Sequence, residues 1–199
     1  IAGAIIELAA QRSLLEGVKI TRDCALLYAF DKTRPFALTQ DQERSIKEIL
    51  DDLESGRVMD RLLSGDVGFG KTEVAMSAIV ALVSQGYQCA FIVPTTLLAS
   101  QHYQTLQERL GSLTKENGQP ITIAKIDRFT KDKNTLQRDL QSGSVDVVIG
   151  THAILGLAFN KLGLVIIDEE HKFGVKQKEK MKALCKNVHT LSMSATPIP

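Results

Sequence analysis

Eight residues constrain this chain more than any others. Gly65-Asp66-Val67-Gly68-Phe69-Gly70-Lys71-Thr72 satisfies the pattern G-x-x-x-x-G-K-[ST]. A short apolar run at 61–64 precedes it and a helix-like pattern over about 71–85 follows. Glycines at these positions let backbone N–H groups approach phosphate oxygens that a Cβ would hold away. A helix starting near Lys71 aims the positive end of its dipole at the β-phosphate. Lys71 supplies a point charge to the β- and γ-phosphates, and the Thr72 hydroxyl suits magnesium coordination. The segment therefore predicts a site for a magnesium-bound nucleoside triphosphate.

The rest of the chain supplies the scaffold such a loop needs. Short apolar runs occur at 61–64, 89–93, 121–126, 145–149, 164–167 and 190–193. Helix-like stretches lie between several of them, at about 71–85, 97–110, 131–142 and 173–186. Runs such as Cys-Ala-Phe-Ile-Val at 89–93 show no polar–apolar alternation, as expected of strands buried on both faces of a helix-covered parallel sheet. The prediction is a doubly wound α/β domain with a mainly parallel central sheet. Ahead of it, Thr39 reads as the N-cap of a helix over about 40–55 that Gly56 closes. Residues 1–16 read as an amphipathic helix ending near Gly17. Residues 17–37 lack a clear period, so 1–35 is expected to be a connector rather than core.

A second group of chemically apt residues lies downstream. Leu164-Val165-Ile166-Ile167 runs directly into Asp168-Glu169-Glu170-His171. A buried strand carrying acids at its C-terminal end delivers them where open α/β sheets bind ligands. Asp168 is placed to hold magnesium through water, and Glu169 to orient or deprotonate an attacking water. His171 either couples the γ-phosphate to the next strand end or caps a helix. Ser194-Ala195-Thr196-Pro197 follows the last strand, where Ser194 and Thr196 can hydrogen-bond to the acidic group and report its state; a plain strand-to-loop turn is the other reading. Six lysines against one glutamate in 172–186 form either a solvated helix face or a set of phosphate contacts weakened by salt.

Composition narrows the class. The net charge of +1 rules out a global basic field, so nucleic-acid contact must come from local patches. Cys24, Cys89 and Cys185 are few, odd in number and far apart, which disfavours a disulfide framework or zinc site and fits a reducing cytoplasm. No apolar run reaches the roughly 18 residues of a membrane span, and no signal peptide is evident. A chain beginning at Ile1 and stopping at Pro199, just inside a motif, is expected to be a piece of a longer protein.

Taken in order, Phe36-Ala37-Leu38-Thr39-x-x-Gln42, the loop at 65–72, Pro94-Thr95-Thr96-Leu97-Leu98, Gly150-Thr151-His152, Asp168-Glu169-Glu170-His171 and Ser194-Ala195-Thr196-Pro197 resemble superfamily-two helicases of the DExH type. The resemblance covers residues 36–199 and implies a RecA-like ATP-binding lobe, the first of two, cut short after the Ser-Ala-Thr motif. Within that superfamily, Met59–Leu62, Gly65–Met76, Ile126-Asp127-Arg128-Phe129 and Asp168–Lys180 are similar to the motor module of the bacterial transcription-repair coupling factors. That family implies double-stranded DNA translocation driven by ATP and magnesium, displacing stalled RNA polymerase and recruiting excision-repair proteins through domains elsewhere. RecG-type branch-migration helicases are the alternative: Phe69 and Glu170 favour the coupling factors, whereas Pro35–Thr39 is RecG-like.

The resemblance also implies roles residue by residue. Gln42 would read the adenine edge with Phe36 packed nearby, and Thr95, Gln101, Arg128, Thr151 and His152 would face the DNA backbone, where hydroxyls and short basic groups suit phosphate positioning. Hydrolysis is expected to need arginine fingers from a second lobe, so this segment alone should have little ATPase activity. From another class, a nucleotide-gated module that clamps DNA without moving along it fits the same motifs.

Overall fold

The computed structural model describes residues 17–65 and 70–195. The helix expected over 1–16 lies outside the described residues. In chain order the elements are α1 (Ala25–Lys32), α2 (Gln40–Glu54), β1 (Asp60–Ser64), α3 (Lys71–Ser84), β2 (Gln88–Ile92), α4 (Thr96–Leu110), β3 (Ile123–Ile126), α5 (Lys133–Ser142), β4 (Val147–Gly150), β5 (Leu162–Asp168), α6 (Val175–Leu184) and β6 (His189–Ser194). Short 3-10 turns span His152–Gly156 and Glu170–Lys172.

The six strands form one sheet in the order β1-β6-β5-β2-β4-β3, and every neighbouring pair is parallel. The expected α/β architecture is thus present. The missing alternation in the sequence has a direct cause. In β2, Cys89 and Phe91 enter the core on one face while Ala90 and Ile92 enter the other; Leu164 and Ile166 oppose Val165 and Ile167 in β5 in the same way. Helices α1 to α4 cover the first face, and Leu136 and Leu140 of α5 with Met181 of α6 cover the second. Helix α3 is buried from Glu73 to Val83, because the sheet lies on one side and α1 and α2 on the other.

Thr39 caps α2 as expected. Its hydroxyl accepts from Gln42 N at 3.1 Å, and Gln42 Oε1 accepts from Thr39 N at 2.9 Å. Gly56, at φ +78°, turns the chain after the helix.

Residues 17–35 depart from the expected connector. Ile20, Leu26, Leu27 and Phe30 are buried in the larger core. Ile20 N donates to Leu53 O at 3.0 Å, and buried His189 accepts from Met59 N through Nδ1 while donating from Nε2 to Val18 O at 2.6 Å. Helix α1 is two turns long, too short for a helical period to stand out from its neighbours. Its apolar residues gain their place from contact with α3, which local pattern does not encode.

All six strands point the same way, so the segments following them emerge at one edge. The ends of β1, β6 and β5 are adjacent there, with Ser64 beside Ser194 and Met193 beside Asp168. At a strand spacing of about 4.8 Å, the loop after β1 and the acids after β5 start about 10 Å apart.

Candidate functional site

Gly65, at the start of the loop, and Glu169 both meet the end of β6. Gly65 N donates to Ser194 O at 3.3 Å, while Ala195 N donates to Glu169 Oε1 at 3.2 Å. One strand end therefore touches both halves of the expected triphosphate site. The contacts run through main-chain groups of Ser194 and Ala195, where side-chain hydroxyls were expected. Thr196 and Pro197 lie outside the described residues, as do Asp66, Val67, Gly68 and Phe69.

On the loop side, Gly70 caps α3 in the left-handed region, φ +72° and ψ 43°. A Cβ there would also lie 2.3 Å from Gln42 Nε2, the movable end of that side chain, so it is the backbone conformation that requires glycine. Lys71 and Thr72 form the first turn of α3, both half-buried, with Lys71 Nζ donating to Gly65 O at 2.9 Å. Gln42, expected to read an adenine edge, is buried; its Nε2 donates to Gly70 O at 3.4 Å. It joins the cap of α2 to the end of the phosphate loop. Phe36 is exposed.

On the acid side, Asp168 ends β5 and is buried, whereas Glu169 sits at φ 51°, ψ 53°. A left-handed conformation costs a non-glycine residue about 1–2 kcal/mol. Glu169 is held there by its N–H to Met193 O at 3.0 Å and by Ala195 N on its carboxylate. His171 lies inside the short turn rather than at a helix cap, half-exposed, with Nε2 3.3 Å from Glu169 Oε2.

His102 was not among the residues expected at the site. It projects from α4 so that Nε2 lies 3.3 Å from Asp168 Oδ2, and its ring packs on Phe91 with centroids 4.7 Å apart. A signal was available: Ala99, His102, Leu106 and Leu110 share the core-facing stripe of α4, an unusual place for imidazole.

The residues expected to face DNA follow β2, β3 and β4 along the same edge. Thr95, Gln101, Arg128 and His152 are exposed, but Thr151 is buried. Thr95 caps α4, accepting from Leu98 N at 3.2 Å. Buried Asp127 accepts from Phe129 N at 2.8 Å, and Arg128 stacks over the exposed Phe129 ring at 4.7 Å. A groove lined by Leu97, Ser100, Lys125 and Phe129 separates this turn from α4. In Gly150-Thr151-His152 the glycine is a packing requirement, since a Cβ would meet Ile126 O at 2.1 Å. Five of the six lysines in 172–186 are exposed, with Lys178 half-buried.

Magnesium fits this donor set. It is held by one or two protein oxygens together with waters and substrate phosphates, rather than by an all-protein cage. Thr72 and Asp168 could supply two such oxygens, and no group of three or more His, Cys, Asp or Glu forms a metal cluster among the described residues. Burial pushes the Cys89 thiol well above its ordinary range, so it stays neutral and inert.

Comparison with known proteins agrees with this geometry. The DEAD/DEAH box helicase family matches residues 39–199. Over its whole length the chain is 56% identical to the transcription-repair-coupling factor of Helicobacter pylori strain 26695, of which it covers 19%. It is 46% identical to that of Staphylococcus aureus strain USA300, covering 17%. The chain thus spans less than a fifth of the length of these relatives. Among solved structures, RecG bound to a three-way DNA junction superposes with a TM-score of 0.82 at 40% identity, over 98% of this chain and 26% of that one. The helicase MrfA bound to DNA and AMPPNP shares the fold, with a TM-score of 0.67 at 18% identity over 98% of this chain and 31% of that one.

Proposed function

Because the chain belongs to the DEAD/DEAH box helicase family, we propose that it is the ATP-binding lobe of a double-stranded DNA translocase that displaces stalled RNA polymerase and couples transcription to excision repair. The observation that carries the ATPase part is the double contact of β6, through Ser194 O to the phosphate loop and through Ala195 N to Glu169. The coupling role is favoured by whole-chain identities of 46–56% to transcription-repair-coupling factors, against 40% to RecG. Polymerase and repair partners belong to other parts of the parent protein, which works in the cytoplasm. Among the described residues no helix is long and apolar enough to cross a membrane.

The proposed lobe spans 36–199, with the incoming segment docked on it through residues 18–34. Thr72 and Asp168 would hold magnesium, which would supply positive charge against the phosphates. Lys71 adds a cation on the phosphate oxygens, at the positive end of the α3 dipole. Glu169 orients a water for in-line attack and accepts its proton, with the carboxylate aimed by Ala195 N–H. Arginines from a second lobe complete the charge stabilisation, so the lobe alone turns over little. Gln42 and Phe36 bound the base end of the site. His171, Ser194 and Thr196 relay its state to the DNA edge, where Thr95, Gln101, Arg128 and His152 meet phosphates; buried Thr151 shapes the turn that presents His152.

A triplex-displacement assay on the full-length protein tests this reading. ATP-dependent removal of the third strand is expected, and Lys71→Ala should abolish it at ATP concentrations that saturate the wild type. Retention of the third strand with wild-type protein and ATP would leave a nucleotide-gated clamp. The RecG-type alternative rests on the TM-score of 0.82 and is separated by a second readout. Release of stalled polymerase without fork regression supports a coupling factor; the reverse supports branch migration.

A further inference from the structure

The contact between His102 and Asp168 joins two elements that the proposed function treats separately. Asp168 belongs to the metal site, whereas α4 begins at Thr95 and carries Gln101 on its exposed side. His102 is the next residue along and turns the other way, with its side chain only 15% exposed. Phe91 supports one face of the imidazole, leaving it little rotational freedom. An ionised carboxylate only accepts hydrogen bonds, so the ring nitrogen 3.3 Å from Oδ2 must carry the proton and donate. That bond fixes one oxygen of Asp168 and leaves Oδ1 for a metal-bound water. Groups that orient a metal-site carboxylate from behind set the affinity of the ion without touching it.

The geometry points to His102 as a positioning residue that holds Asp168 in its magnesium-binding orientation and ties that orientation to α4. On the reading of the Thr95–Gln101 edge as a DNA contact, load on α4 reaches the metal site through this side chain. By linkage, DNA and metal then alter each other's affinity by the same factor. Neither Thr95 nor Gln101 has a comparable route, since Thr95 is engaged in capping its own helix and Gln101 faces outward.

Two substitutions separate the hydrogen bond from the packing. His102→Phe keeps a ring against Phe91 but removes the donor. His102→Gln places an amide N–H near the position of Nε2. The test is a Mn2+ titration of the full-length protein, read by loss of the free-ion electron paramagnetic resonance signal, at a saturating non-hydrolysable ATP analogue. His102→Phe should weaken Mn2+ binding about tenfold or more, within the range seen when such supporting partners are removed. His102→Gln should stay within about threefold of wild type, most of the support being restored. A Phe variant with wild-type affinity, or a Gln variant as weak as Phe, would overturn the assignment. Repeating the titration with duplex DNA tests the link to α4. Wild type should show a DNA-dependent shift in Mn2+ affinity that His102→Phe lacks; a shift that persists in the variant overturns the link. No shift in wild type also overturns the link, and a wild type that fails to bind duplex at all strikes the DNA reading itself while the DNA-free comparison still judges His102.

Discussion

Glu169→Gln in the full-length protein is expected to bind ATP with affinity close to wild type while hydrolysing it at least about 100-fold more slowly, the lower end of what a positioned general base contributes. The substitution exchanges one carboxylate oxygen for an amide nitrogen and changes little else. A glutamine Oε1 can still accept from Ala195 N, and the backbone bond to Met193 O does not involve the side chain. Geometry therefore persists, but the charge that attracts and deprotonates water does not. On the proposed function, nucleotide affinity resides elsewhere, in Lys71 and the metal. Fluorescent-nucleotide binding and steady-state phosphate release on the same sample separate the two effects. Turnover within a factor of about three of wild type, far below a base's usual contribution, would remove Glu169 from the role.

The largest stability effect is expected from Glu73, the residue directly after Thr72. Glu73→Ala should destabilise the chain by about 3–5 kcal/mol, the usual cost of stranding charges that have lost a buried partner. The Glu73 side chain is 6% exposed and serves two arginines. Arg109, from the end of α4, binds it with both terminal nitrogens, one at 2.9 Å, and Arg34 Nε donates at 3.1 Å. Both guanidiniums also lie over the Phe30 ring, at 5.0 and 5.2 Å. Removing the carboxylate strips Arg109, 16% exposed, of its paired acceptor beside the Phe30 ring, while Arg34, 12% exposed, keeps Asp31 at 2.7 Å and the Ser77 hydroxyl at 3.1 Å. Arg34→Ala should cost clearly less, because Glu73 keeps its paired contact with Arg109. Urea unfolding of the chain measures both; a loss below about 1 kcal/mol for Glu73→Ala would mean the arginines escape to solvent, as exposed ion pairs do.

These two residues also mark the limits of sequence reading. Glu169 was legible because acids at the end of a buried strand are an unusual local pattern, and an apolar run needs no partner to be recognised. Its left-handed backbone was not legible, since that depends on Met193 and Ala195 across the sheet edge. Glu73 reads locally as an acid at a helix N-terminus, favourable through the dipole alone. Its real partners lie 39 positions before it and 36 after it, brought together only by packing. The same holds for His102 and Asp168, 66 positions apart. Strands β2 and β5 were visible because burial on both faces removes polar residues from the run. Helix α1 was not, because eight residues held by α3 leave almost no periodic signature. Thr151 shows the complementary error: a motif fixes residue identity, but whether the side chain reaches solvent depends on the turn that carries it.

The most direct test is the position of the metal in a crystal of the protein with Mn2+ and a non-hydrolysable ATP analogue, located by anomalous scattering. One ion is expected between the Thr72 hydroxyl and Asp168, bound to the first directly at about 2.2 Å and to the second directly or through one water, with Lys71 on the β- and γ-phosphates. An ion more than about 8 Å from Asp168, too far for a single bridging water, or a triphosphate seated away from residues 65–72, would contradict a shared site.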